Sequence, residues 1–223
     1  MSSQFNKTYD LILEGIFEPA SDEEVKERQK SYSYIMSKEW LEDFLKRPDI
    51  HKNEDGSYDV DGDVIIKNLH LSKFPVKFNH VKKRFYCMQN NLADLKDAPK
   101  KVDGNFACND NKLTSLEGGP THVGGFYWCT NNKLTDLKGA PVIVDGDFRC
   151  RFNQIESLDG MPKKIGNRLM IQENPISLNL SFEGIRELKK EIHKISDVKG
   201  TIEIGYHVKL PPTILGAPSS GAR

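Results

Sequence analysis

Net charge is the first thing this sequence lacks. Lys plus Arg and Asp plus Glu number 32 each across 223 residues. That balance excludes a chain-wide basic field for nucleic acid or an anionic membrane and leaves only local patches. Long apolar runs are missing too. Leu11-Ile12-Leu13, stopped by Glu14, is the longest run near the start. It is too short for the apolar core of a signal peptide and far short of the ~20 residues that cross a bilayer. Cysteine is sparse, with four residues and no C-x-x-C. Without an export signal, these four are expected as reduced thiols in a cytosol. Catalytic signatures are absent as well: no H-E-x-x-H, G-x-S-x-G, P-loop or G-x-G-x-x-G occurs. No nucleophile pairs with a base, so a non-enzyme that needs no cofactor is expected. The bulk composition, 37% hydrophobic and 29% charged, is that of a soluble globular protein.

What the sequence does contain is a period. Cys87, Cys108, Cys129 and Cys150 stand 21 residues apart, and the same step reaches Ile66 before them and Ile171 after. Val60, Val81, Val102, Val123, Val144 and Ile165 form a second column, and Val64, Phe85, Phe106, Tyr127, Phe148 and Leu169 a third. Leu71, Leu92, Leu113, Leu134, Ile155 and Ile176 keep the step, as do Phe74, Leu95, Leu116, Leu137 and Leu158. Asn90, Asn111, Asn132, Asn153 and Asn174 make a polar column, and Pro99, Pro120, Pro141 and Pro162 mark a return path.

A spacing this regular reads as stacked rungs, each burying a face that it could not bury alone. Phe85 and Cys87 alternate with Arg84, Tyr86 and Met88, the pattern of a short strand with one buried face. Asp103-Gly104, Gly124-Gly125 and Asp145-Gly146 supply a turn before the strand. The asparagine after each strand can serve backbone groups inside the bend, where no strand partner reaches.

One rung, V-x-G-x-F-x-C-x-x-N-x-L-x-x-L-x-x-x-P, matches at its centre the leucine-rich-repeat core L-x-L-x-x-N/C-x-L. Asn111-Lys112-Leu113-Thr114-Ser115-Leu116-Glu117-Gly118 and Asn132-Lys133-Leu134-Thr135-Asp136-Leu137-Lys138-Gly139-Ala140-Pro141 resemble a leucine-rich-repeat family of tailed-phage genomes. The lead-in from Glu54 to Val64 is similar to that family's as well. The resemblance covers roughly residues 54 to 176. It implies a solenoid of short parallel strands with a mostly irregular convex side, and a viral origin. It implies no activity. The short rungs also resemble those of secreted bacterial effectors, but nothing here looks like an attached ubiquitin-ligase domain.

The period predicts four segments: 1–53 as an N-terminal helical cap, 54–180 as about six rungs, 181–210 as a C-terminal cap and 211–223 as a flexible tail. Ser21-Asp22-Glu23-Glu24 reads as a capping box opening one helix. Trp40, Leu41, Phe44 and Leu45, after Ser37, form the apolar face of a second. Ile185, Leu188, Ile192 and Ile195 predict a helix over 182–195, followed by a strand near Thr201 to Val208. Lys7 to Gly15 resembles the capsid-targeting leader of internal head proteins in T-even-type phages. That resemblance implies a candidate processing site between Glu14 and Gly15; a small amphipathic N-terminal helix is the competing reading.

Metal sites are disfavoured. Four sulfurs on successive rungs would span about 14 Å in a line and could not surround one zinc. Asp59, Asp61 and Asp63 suggest a calcium loop, but the positions that need Gly and Glu hold Val64 and His70. The six histidines show no ligand spacing, and His80 and His122 merely share a column.

The outward strand positions are more informative. They run Ile65, Tyr86, Ala107, Trp128, Arg149, Met170, flanked by Lys67, Met88, Asn109, Thr130, Arg151, Gln172 and by Asp63, Arg84, Asn105, Phe126, Asp147, Arg168. Tyr86, Met88, Phe126, Trp128, Arg149 and Arg151 are therefore expected on a concave sheet face, with residue types that concentrate at protein interfaces. The expected function is a non-catalytic protein-binding module, phage-encoded and acting in the host cytoplasm, with no membrane partner. Two alternatives stand beside it: a head protein packaged in the virion and injected with the genome, and a single-stranded nucleic-acid binder stacking bases on Trp128, Phe126 and Tyr86.

Overall fold

The computed structural model describes residues 38–178 and 180–205. The expected leader with Glu14 and Gly15, the first helix and the tail lie outside the described residues. Within them the chain is a parallel-strand solenoid with a 21-residue step, the architecture expected from the leucine-rich-repeat spacing.

Each rung supplies two very short strands, one to each of two sheets. The first sheet takes β1 (Ile50–Lys52), β2 (Tyr58–Val60), β4 (Phe78–Val81), β6 (Lys101–Val102), β8 (His122–Val123), β10 (Ile143–Val144), β12 (Lys164–Ile165) and β14 (Asp197–Val198), in that order. The second takes β3 (Val64–Ile65), β5 (Phe85–Tyr86), β7 (Phe106–Ala107), β9 (Tyr127–Trp128), β11 (Phe148–Arg149), β13 (Leu169–Met170) and β15 (Ile202–Glu203). β1 and β2 form an antiparallel pair and the other pairs are parallel. From each asparagine bend to the following proline the repeating rungs are irregular, as expected of the convex side.

Glycine makes the return possible. Gly139 has φ +81°, and a Cβ there would sit 2.1 Å from Glu117 N. Between the sheets, a Cβ on Gly124 would lie 2.2 Å from Asp103 O, so this rung comes that close to the one before it only because it has no side chain there.

The core is the set of inward columns. The valine column, the phenylalanine column and all four cysteines are fully buried. Rings stack down the axis: Phe85–Phe106 at 5.5 Å, Phe106–Tyr127 at 4.9 Å and Tyr127–Phe148 at 5.5 Å between centroids. The asparagine column closes the bend. Asn132 Oδ1 accepts from Leu113 N at 3.0 Å, while its Nδ2 donates to Cys108 O and Cys129 O at 3.1 Å each. Asn111, Asn153 and Asn174 repeat this set. One side chain per rung thus ties its own strand to the rung before it, where unpaired backbone groups would otherwise be buried.

Both ends are covered. Residues 38–45 form α1, which sets Phe44 against Tyr58 and Phe78. Trp40 Nε1 donates to Ile65 O at 2.9 Å, and Arg47 Nη1 donates to Asp63 O at 2.8 Å. At the other end, Ile165 pairs with Val198, 33 positions further along. The surplus accommodates α2 (Phe182–Ile195), the helix expected from the sequence. Ser181 caps it by accepting from Gly184 N, and Leu188 and Ile192 are buried on the last rung. Of the strand expected after it, near Thr201 to Val208, β15 (Ile202–Glu203) forms, and residues beyond 205 lie outside the described residues.

Candidate functional site

Parallel pairing on the second sheet places Ile65, Tyr86, Ala107, Trp128, Arg149 and Met170 in one ladder on its outer face. Successive rungs in such a ladder are about 4.8 Å apart. Ala107 is small and fully buried, so Tyr86 and Trp128, one rung to either side of it, dominate the surface there.

The aromatic residues join across rungs. Tyr86 stacks on Phe126 at 6.3 Å between centroids, and Phe126 stacks on Trp128 at 4.5 Å. Arginine closes each end: Arg84 Cζ lies 5.6 Å from the Tyr86 ring and Arg149 Cζ lies 4.5 Å from the Trp128 ring. The result is a continuous row, Arg84, Tyr86, Phe126, Trp128, Arg149. Its three rings are half-buried, and cation–π contact fixes its ends.

Acidic groups hold the arginines. Arg84 is paired with Asp63, whose carboxyl its guanidinium lowers to about 2. Asp147 takes both Arg149 at 2.7 Å and Arg168 at 2.8 Å. Burial works to raise the Asp147 carboxyl, and the hydrogen bonds from Arg168 and Arg149 outweigh it, so it lies below its ordinary value. These residues also carry a backbone duty. Asp63, Asn105 and Asp147 accept from the main-chain N–H of Arg84, Phe126 and Arg168, one rung on in each case.

Of the six residues expected on this face, four belong to the row: Tyr86, Phe126, Trp128 and Arg149. Met88 is half-buried in the neighbouring column, two residues beyond Tyr86, and lies three rungs before Arg151. Arg151 stands beside the row, with its Cζ 5.2 Å from the ring of Phe152.

Phe152 was not visible as a site residue from the sequence. It is 45% exposed and adopts φ +53°. The same left-handed conformation recurs one residue before the other ladder asparagines, at Gln89, Asp110, Asn131 and Glu173, and at Asn68 in the corresponding place of the first rung. Every other rung fills the position with a polar residue. A bulky ring there is strained by roughly 1–2 kcal/mol, and it carries an arginine on its surface.

The row and the ladder beside it contain unmet polar groups. Trp128 Nε1, Arg149 Nε and Arg151 Nε are buried without a hydrogen-bond acceptor, and Asn109 Oδ1 and Gln172 Oε1 without a donor. All five lie in the two ladders that contain Trp128 and Arg151.

The rest of the surface is quieter. On the first sheet, His80 Nε2 and Lys101 Nζ both reach Asp103, at 2.9 and 2.8 Å, and His122 and Lys164 reach Asp145 at 2.9 and 3.4 Å. The thiols are shut in: burial pushes Cys108 up to about 12 and raises the other three too. Cys129 and Cys150 donate to Arg149 O and Met170 O at 3.5 Å. Among the described residues, no group of three His, Cys, Asp or Glu side chains is placed to hold a metal ion, and no helix is long and apolar enough to cross a membrane. A concavity of about 590 Å³ opens between α2 and β15, lined by Ile185, Lys189, Ile202, Glu203 and Ile204 among others.

No protein-family model, no curated protein and no solved structure matches this chain.

Proposed function

We propose that this chain is a non-catalytic protein-binding module that engages its partner through the outer face of the second sheet. The observation that carries the reading is the row Arg84, Tyr86, Phe126, Trp128, Arg149, whose three rings are half-buried on the outer face of the second sheet. Tyr, Trp and Arg are the residues that most often dominate binding energy at interfaces. Here the rings are immobilised before any partner arrives, which lowers the entropy lost on association. The resemblance of the rungs to those of tailed-phage proteins supports a phage origin. On that reading the module acts in the cytoplasm of a bacterial host, on a host or viral protein.

Base stacking by a single-stranded nucleic acid is less well supported. Phe126 and Trp128 each already stack on two neighbours, so they offer a partner edges more than open ring faces. Asp63 and Asp147 on the same face oppose a phosphate backbone.

Affinity capture from bacterial lysate, with wild type and Trp128→Ala in parallel, tests the proposal. The expected result is a protein retained by wild type, with binding weakened by more than about 1 kcal/mol in Trp128→Ala while that variant still unfolds in one cooperative transition. Equal retention by both would remove the site assignment.

A further inference from the structure

The charges on the second-sheet face do not close. Six arginines lie among the described residues, and five have a carboxylate within ion-pair distance: Arg47, Arg84, Arg149, Arg168 and Arg186. Arg151 has none. Its Nε is buried without an acceptor, and its guanidinium lies against the ring of Phe152.

That environment suits a partner's carboxylate. Lying flat on an aromatic ring removes water from one side of the guanidinium and leaves its planar fork for a bidentate acceptor. Phe152 supplies the ring at the cost of a left-handed backbone in a place where the other rungs hold polar residues. Strain of this kind, in an exposed side chain that no packing explains, points to use. Lys67, in the same ladder, is also without an acid, but it stands four rungs away, about 19 Å by rung spacing.

Resting on the reading of this face as a protein-binding surface, we infer that the partner is an acidic segment that places an Asp or Glu carboxylate on Arg151 and an apolar side chain on Trp128. One rung and two strand residues separate the two positions, about 8 Å by strand geometry. An extended segment covers that distance in two to three residues at about 3.3 Å each. The recognised pattern is therefore an acidic residue two or three positions from an aromatic or large aliphatic one. One uncompensated cation beside the aromatic row matches one carboxylate. A nucleic acid requires a track of cations along its backbone.

Panning a random-peptide display library on the intact chain tests this. Wild type is expected to enrich peptides with that pattern. Arg151→Gln is expected to keep the apolar preference and lose the acidic one, and to bind a synthetic wild-type-selected peptide roughly tenfold or more weakly. Arg151→Glu is expected to shift selection toward Lys and Arg. Arg151 makes no ion pair in the fold, so both variants should retain the wild-type denaturation midpoint. A wild-type consensus without an acid overturns the inference and leaves the binding face standing. The same peptides selected by Trp128→Ala, or none enriched by wild type, overturn the face as well. Salt-sensitive binding of a mixed-sequence single-stranded oligonucleotide, tighter than that of any selected peptide, overturns both in favour of a nucleic acid.

Discussion

The two sheets share one core, one rung spacing and strands of similar length, yet they turn very different faces outward. On the first, charges are settled locally. His51 and Lys82 meet Asp61, His80 and Lys101 meet Asp103, and His122 and Lys164 meet Asp145. On the second, Asp63 and Asp147 hold arginines that lie over aromatic rings, and one arginine is left over. An outward position is therefore not by itself a binding position. What marks the second face is what its own residues leave unmet beside Trp128: three donors, two acceptors and the Arg151 cation.

The strongest way to break the comparison is to remove the scaffold that both faces need. Asn132→Ala deletes a side chain whose amide serves one buried N–H and two buried carbonyls. Cys108 O and Cys129 O keep Asn111 and Asn153 as donors, but Leu113 N is left buried and unpaired at about 1–3 kcal/mol, so a loss near 2 kcal/mol is expected in chemical denaturation. A loss under about 1 kcal/mol would mean that the rungs stack without their asparagines.

A sharper contrast pits the two faces against each other. Asp147 is 7% exposed and holds two arginines, whereas Asp145 is 39% exposed. Asp147→Asn should cost about 2 kcal/mol, within the range for hydrogen bonds to charged groups. Asp145→Asn should stay within about 0.5 kcal/mol, as exposed ion pairs do. Equal losses would erase the distinction between a built face and a solvated one.

Acid gives the mildest separation. Asp61, Asp103 and Asp145 on the first sheet, and Asp63 and Asp147 on the second, all have lowered carboxyl values. A lowered folded-state value stabilises above the ordinary carboxylate value of 3.8, and the benefit fades as pH falls through the folded-state value. The carboxylate contribution should be flat above about pH 5 and decline below about pH 4. Asp63 should protonate close to pH 2, readable from its side-chain NMR shift. Protonation of Asp63 nearer pH 4 would show that Arg84 does not hold it.

Much of this was legible in the sequence. The buried columns are set by a strict 21-residue step, so Phe85, Cys87, Leu92 and Asn90 could be assigned before any coordinates. The helix at 182–195 followed from its apolar spacing. The first sheet was not legible as a sheet. Its strands are mostly two residues long with a single buried position, as in Lys101–Val102, and alternation cannot show in so short a stretch. Phe152 was missed because the left-handed position before each asparagine carries no glycine to announce it. The diagonal contact of Tyr86 with Phe126 depends on Ala107 being small, a fact about side-chain size that periodicity does not encode. Nor could spacing reveal that Asp147 would take two arginines and leave Arg151 with none.

The head of the stack has one further consequence. In the second sheet each strand's N–H groups donate to the carbonyls of the strand after it, as Val64 and Ile66 do to Arg84 and Tyr86. The carbonyls of Asp63 and Ile65 would therefore be the free acceptors of the first rung. Arg47 and Trp40 occupy them with side-chain donors, and β1 covers the matching edge of the first sheet by running antiparallel. An uncovered row of acceptors along that strand would be a template for another chain's strand, and contacts of that head-to-tail kind do not close into rings but grow into fibres. Two side chains and one reversed strand take up the acceptors and the strand edge of the first rung.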